Sequence, residues 1–164
     1  MLAAFNWELF GDDISRLGVA AVIGGVIGCE RQLHGHWAGL RTHMMVALGS
    51  AVFVVAGMRM AGNQPADVSR IVQGVASGIG FLGAGTILKL GEQMEIKGLT
   101  TASSIWLSAG LGIAAGLAEY TLAAAATCVS LVVLIVLHPL DQVLNRRHHI
   151  RDPHGPQTPT STKR

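Results

Sequence analysis

The sequence predicts an all-α integral membrane protein, a bundle of about five glycine-rich transmembrane helices. Two observations predict this fold class. Half of the 164 residues are apolar and only 13% are charged, against roughly 25% in a typical soluble domain, so there is too little charge to cover a globular surface. The charges are also separated by apolar stretches that approach the roughly 20 residues needed to cross a bilayer.

The five predicted helices follow one another along the chain. The first covers about Ile14 to Cys29, with Arg16 reaching the headgroups and Glu30 at the opposite interface. The other four fill stretches without Asp, Glu, Lys or Arg, which run from Arg41 to Arg59, Arg70 to Lys89, Lys97 to Glu119 and Glu119 to Asp141. We therefore predict a transmembrane domain at 14–144, between an extracytoplasmic segment at 1–13 and a disordered basic cytoplasmic tail at 145–164.

The distribution of basic residues predicts the orientation of the bundle. Cytoplasmic segments collect Lys and Arg. With five spans and the tail inside, the inner segments hold nine basic residues and the outer ones hold three, Arg16, Arg59 and Arg70. This asymmetry favours an extracytoplasmic N-terminus and a cytoplasmic C-terminus.

The stretch GIGFLGAG at 78–85 has the G-x-G-x-x-G spacing of a dinucleotide-binding loop. That interpretation needs a preceding strand and an acidic residue about 20 positions further on, where this chain has Leu99 to Ala102. In lipid, small residues instead let helix backbones approach closely. The sequence thus predicts tight packing, within the chain or between copies, at Gly24, Gly28, Gly78, Gly80, Gly83, Gly85, Gly112 and Gly116.

The densest polar patch of the core region is CERQLHGHWAGLRTH at 29–43. Ionisable groups at the edge of a span are candidates for function, although they also serve as interface markers. Threonines in GLRTH and KGLTTASS either cap helices or, with basic neighbours, form an anion site. We expect Glu30 to pair with Arg41 near the helix start at Thr100. The candidate polar cluster is Glu30, Arg31, Arg41, Thr42, Arg70, Lys97, Thr100 and Thr101.

Signals for catalysis and for metal binding are weak. His34, His36 and His43 lack a recognised ligand spacing, as do His148, His149 and His154. No Ser-His-Asp, Walker or kinase signature occurs. We therefore predict no metal site, no cofactor and no enzymatic activity.

Four blocks of the sequence resemble the membrane domain of the MgtC/SapB family. They are GGVIGCERQ at 24–32, AGLRTHMMVALGSAVF at 38–53, SGIGFLGAGTILK at 77–89 and IKGLTTASSIWLSAGLGIAAGLAEY at 96–120. The resemblance implies a multi-pass protein of the bacterial inner membrane, in a family associated with growth at low magnesium and survival inside host cells. It further implies lipid and another membrane protein as partners, such as F-type ATP synthase or an ion transporter, with a homo-oligomer possible and no nucleic acid.

Two departures from the family pattern limit what the resemblance implies. Family members often have a glutamine four residues after the position of Arg70, whereas here Gln73 stands one position earlier. Longer members carry a soluble C-terminal domain of the ACT type, so we expect a short form of the family. The resemblance favours a regulator of magnesium or membrane-energy homeostasis, and the alternative is a transporter or channel for magnesium or another ion.

Overall fold

The computed structural model describes residues 6–61, 65–90 and 95–149, and five helices account for most of them. The helices are α1 (Trp7–Leu33), α2 (Leu40–Ala61), α3 (Pro65–Ala84), α4 (Leu99–Gly116) and α5 (Tyr120–His149). Between α3 and α4 lies a short antiparallel hairpin of β1 (Leu88–Leu90) and β2 (Glu95–Lys97). The predicted five-helix fold is confirmed. The hairpin was not predicted, because strands of three residues are too short to show a period.

Three of the described helices are long and apolar enough to cross a membrane. The qualifying segments are Leu40–Met60 in α2, Leu99–Gly116 in α4 and Tyr120–Leu137 in α5. The chain divides into two compact units at Val129, so that the first part of α5 belongs to the bundle and residues 130–149 form a separate helical unit. The orientation of the bundle remains a prediction.

Two helix boundaries differ from those predicted. Helix α1 begins at Trp7 rather than near Ile14, because the Asn6 side chain caps it by accepting hydrogen bonds from the backbone N–H groups of Glu8 and Leu9 at 3.1 and 3.2 Å. The charged residues of this first part are thus helical. Helix α5 continues to His149, so residues 145–149 are helical and not a disordered tail. The rest of the predicted tail lies outside the described residues.

Glycines bring α1, α2 and α4 into backbone contact. A Cβ added at Gly24 would lie 2.6 Å from the His43 carbonyl oxygen, and one at Gly28 would lie 2.7 Å from the Leu40 Cα. On α4, a Cβ at Gly112 would overlap the carbonyl of Ala47, and one at Gly116 would lie 3.1 Å from the Cα of Ala51. Because the hydrophobic effect does not drive helices together in lipid, these close backbone contacts supply the packing between α1, α2 and α4.

The glycines of α3 do not make such contacts within the chain. A Cβ on Gly78 or Gly80 would meet no atom of the described residues within 4 Å, and Gly83 is only in ordinary contact with Ala102. Gly85 follows the end of the helix and lies beside the carbonyl of Leu82. Intramolecular packing at Gly78 and Gly80 is therefore not what the structure shows.

The open middle of α3 forms one wall of an apolar groove of about 530 Å³ between α2 and α3. Helix α3 meets α2 where Ile71 contacts Gly57, and it approaches the start of α4 at Ala102. The α2–α3 groove is lined by Met45, Val46, Gly49, Ser50, Phe53, Ile71, Gly74, Val75, Gly78 and Ile79.

Candidate functional site

A buried ion pair occupies the C-terminal end of α1. The side chains of Glu30 and Arg31 are only 6% and 3% exposed, and Nη1 of Arg31 lies 3.9 Å from Oε2 of Glu30. Removing a charge from water is costly unless an opposite charge compensates it. Each of the two residues therefore makes burial of the other tolerable.

The hydrogen bonding of this pair is incomplete. Nδ1 of His34 lies 3.0 Å from Oε1 of Glu30 and 2.9 Å from the Glu30 backbone oxygen. Among the described residues, the two carboxylate oxygens of Glu30 and Nε of Arg31 make no hydrogen bond of acceptable geometry. Buried polar atoms of this kind normally bind water or a ligand.

The predicted pair of Glu30 with Arg41 does not form. The ion-pair partners of Glu30 are Arg31 and His34, whereas Arg41 is exposed. The reason is local, since residues 30 and 34 are one helical turn apart and share a face. Arg41 instead lines a surface depression of about 450 Å³ together with Gln32, His36, Trp37 and Thr42.

The start of α2 is capped by a side chain from α1. The backbone N–H of Leu40 donates to Oε1 of Gln32 at 3.1 Å, across the turn that contains Gly35 at φ +72°. A Cβ at Gly39 would lie 2.9 Å from the same amide oxygen. Thr42 therefore does not cap α2. The Leu40 N–H, one of the free N–H groups that would bind an anion at this helix start, already donates to Gln32.

The start of α4 has a different cap from the predicted threonines. Its N-cap is Gly98, with φ 98° and no side-chain cap hydrogen bond. Only glycine fits, because a Cβ would overlap the carbonyl of Thr86. Lys97 and Thr100 are exposed and Thr101 is half-buried, so capping by the threonines was a wrong expectation at this helix.

Arg70 lies far from the other members of the predicted cluster. Its neighbour Ile71 contacts Gly57, whereas Glu30 lies by the start of α2. Leu40 and Gly57 are separated by about 25 Å at about 1.5 Å per residue. The structure thus brings Glu30 and Arg31 together, leaves Arg41, Lys97 and Thr100 on the surface at the same end, and places Arg70 towards the opposite end.

His43 has a structural role that was not predicted from the sequence. This side chain is fully buried, with Nδ1 2.8 Å from the Gly39 carbonyl oxygen and Nε2 3.1 Å from Oγ of Ser104. It connects α2 to α4 while Gly28 of α1 packs on its Cβ. The spacing of residues along α2 is a signal that could have predicted this burial. His43 lies at helical intervals from Ala47, Ala51 and Val54, and all four are buried.

The donor atoms of this end do not form a metal centre in the part of the chain that the structure describes. There, no group of three or more His, Cys, Asp or Glu side chains lies close enough to hold an ion. Among the residues whose side-chain burial the structure describes, Glu30 is the only buried carboxylate.

The fold and this site define a helical transmembrane protein with a buried polar cluster at one end. The family model described as the MgtC family matches residues 17–143. The chain belongs to the MgtC family.

Several curated proteins are similar over most of the chain. Protein MgtC of Salmonella typhimurium is 42% identical over 133 residues, which are 81% of this chain and 55% of that protein. Protein MgtC of Brucella abortus is 41% identical over 84% of this chain and 56% of its own length. An Escherichia coli K12 protein named "Putative magnesium transporter YhiD" is 39% identical over 84% of this chain and 66% of its own.

The chain spans a little over half the length of the MgtC proteins that it matches. No solved structure matches it significantly.

Proposed function

We propose that this chain is a non-enzymatic regulator in the bacterial inner membrane, and that it acts by helix contact on another membrane protein that maintains magnesium or membrane-energy balance. The proposal is carried by the α2–α3 groove, an apolar surface that the described residues of the first compact unit leave open. Its occupant in this proposal is a transmembrane helix of the regulated protein.

The glycines of the groove support a helix as the occupant. A Cβ added at Gly49, Gly74 or Gly78 would meet no described atom within 4 Å, so a partner backbone has room to approach. Gly74 and Gly78 have the same four-residue spacing as Gly112 and Gly116, which are covered by the backbone of α2. Spacing of this kind favours close contact between helices in lipid.

The buried polar cluster supports regulation over transport of Mg²⁺. That ion is bound through oxygen ligands and gives up its water reluctantly. Glu30, the single carboxylate found buried among the side chains that the structure describes, is already beside Arg31 and His34. Transport of magnesium or another ion remains the second candidate, and the printed name of the YhiD relative favours it.

Leucine substitutions in the groove test the proposal. Gly74→Leu and Gly78→Leu fill the surface, and Gly110→Leu is a matched control because Gly110 is an exposed helical glycine of α4 that also has open space around it. We expect the groove variants to lose complementation of low-magnesium growth and cross-linking to the partner at unchanged membrane levels. The control should retain both.

Two results would count against regulation by helix contact. Groove variants that behave like Gly110→Leu would show that the surface is not used. Magnesium flux into proteoliposomes that contain only the purified chain would favour the transporter alternative.

A further inference from the structure

His43 makes polar contacts that depend on how many hydrogens the ring carries. Its Nδ1 is 2.8 Å from the carbonyl oxygen of Gly39, and its Nε2 is 3.1 Å from Oγ of Ser104. Oγ of Ser104 lies 2.9 Å from the carbonyl oxygen of Thr101. Three contacts therefore run in series from α2 into the first turn of α4.

Counting hydrogens shows that neutral His43 cannot satisfy all three contacts. A carbonyl oxygen only accepts, so Nδ1 must carry a hydrogen, and Nε2 of a neutral ring then has none. The hydroxyl of Ser104 has one hydrogen, which can serve either Nε2 or the Thr101 carbonyl. When the ring binds a second proton, Nε2–H donates to Oγ of Ser104, and the hydroxyl then donates to Thr101.

We propose that His43 is a proton-binding residue in the core of the bundle, and that the Ser104 hydroxyl turns between Nε2 of His43 and the Thr101 carbonyl as the proton leaves and binds. The ligand of this site is the proton. The site couples proton binding to the contact between α2 and α4. It does not rest on the proposed function, since a regulator and a transporter could both use it.

The charges around His43 come from α1. Glu30 and Arg31 follow Gly28, which packs on the Cβ of His43; a nearby carboxylate favours a bound proton, whereas the guanidinium and the burial of the ring oppose it. Neither carboxylate oxygen accepts a hydrogen bond from the described residues, so its charge is offset mainly by Arg31. Helix α4 contributes hydroxyls but no titratable side chain, and Arg41 on α2 is exposed.

Nitrogen NMR of the full chain in detergent micelles or nanodiscs, with ¹⁵N-labelled histidine, tests the proposal directly. A His43→Gln sample assigns the signals. We expect Nδ1 of His43 to be protonated throughout and Nε2 to gain a proton as the pH falls from about 8 to about 5, the range in which histidine titrates. An Nε2 that stays unprotonated at about pH 5 in the folded bundle would overturn the proposal.

Serine variants test the role of the hydroxyl. Ser104→Ala leaves Nε2 of His43 without a hydrogen-bond partner. A buried Nε2–H of a charged ring that lacks a partner destabilises the fold more than an unpaired Nε2 of a neutral ring. We expect its loss of melting temperature to be roughly twice as large at about pH 5 as at about pH 8. Ser103→Ala is the matched control, because the adjacent exposed hydroxyl bonds only to backbone carbonyls among the contacts found.

The pH dependence must also require the imidazole. In a His43→Gln background, we expect Ser104→Ala to lose the same melting temperature at both pH values. Equal losses at the two pH values in the wild-type background would show that His43 binds no proton there.

Discussion

Glu30 and Arg31 are neighbours in the sequence, and both are buried at the end of α1 with Nη1 of the arginine 3.9 Å from Oε2 of the glutamate. Adjacent helical residues point about 100° apart, so a contact between them needs long side chains that bend towards each other. The pair lies near the point where the start of α2 packs on Gly28 of α1. This burial determines how the pair responds to substitution.

The first prediction concerns this pair. Glu30→Gln and Arg31→Gln should each lower the free energy of unfolding by about 3 to 5 kcal/mol, because one buried charge is left uncompensated. The double substitution should cost less than the sum. Denaturant unfolding in detergent measures the free energies of the two single variants and the double variant. As a control, the losses for Glu30→Gln and exposed Arg41→Gln should add up in the corresponding double variant. Additive losses for Glu30 and Arg31 would mean that they do not act as a pair.

The second prediction concerns the contact of α2 with α4. Gly112→Ala places a Cβ on the Ala47 carbonyl, and a backbone cannot yield as a side chain does, so we expect a loss of about 1 to 3 kcal/mol. Gly110→Ala in open space should instead be neutral or stabilising by up to about 1 kcal/mol, through helix propensity. Thermal unfolding in detergent compares the two. Similar effects at the two glycines would contradict a close approach of the α4 and α2 backbones at Gly112.

The third prediction concerns the cap of α2. Gln32→Ala removes the oxygen that accepts from the Leu40 N–H, and loss of such a cap typically costs about 1 kcal/mol. Gln32→Glu keeps an acceptor oxygen and should retain most of the stability. Hydrogen exchange at the Leu40 amide should accelerate in the alanine variant alone. Unchanged exchange there would show that the amide is protected by another group.

The fourth prediction concerns orientation. In a background with Cys29→Ser and Cys128→Ser, Gln64→Cys should react with an impermeant thiol reagent in intact cells, and Gly155→Cys should react only after permeabilisation. The physical reason is the retention of basic segments on the cytoplasmic side. Labelling of the Gly155→Cys variant in intact cells would contradict the predicted orientation.

The sequence predicted the elements better than the site, for a physical reason. The spacing of charges and the length of apolar stretches determine where helices can lie in lipid. The interruptions between helices near Arg41 and Glu119 were therefore predicted. Which cation pairs with Glu30 depends on where the side chains lie in three dimensions. The sequence offers several Arg and Lys residues and does not show which of them is nearest. Glycine spacing was equally ambiguous, since Gly112 and Gly78 look alike in the sequence but only Gly112 meets a neighbouring backbone.

The order of contacts between α2 and α4 has a consequence for biogenesis. His43 meets Ser104, Ala47 meets Gly112 and Ala51 meets Gly116, so residue numbers rise together and the two helices run parallel. Parallel neighbours need a returning segment between them, which α3 provides. The central contact is therefore incomplete until the chain has been synthesised to Gly116. Until then, the buried face of α2 lacks its cover from α4, and a translocon or chaperone that retains the early helices would protect the nascent chain from premature release into lipid.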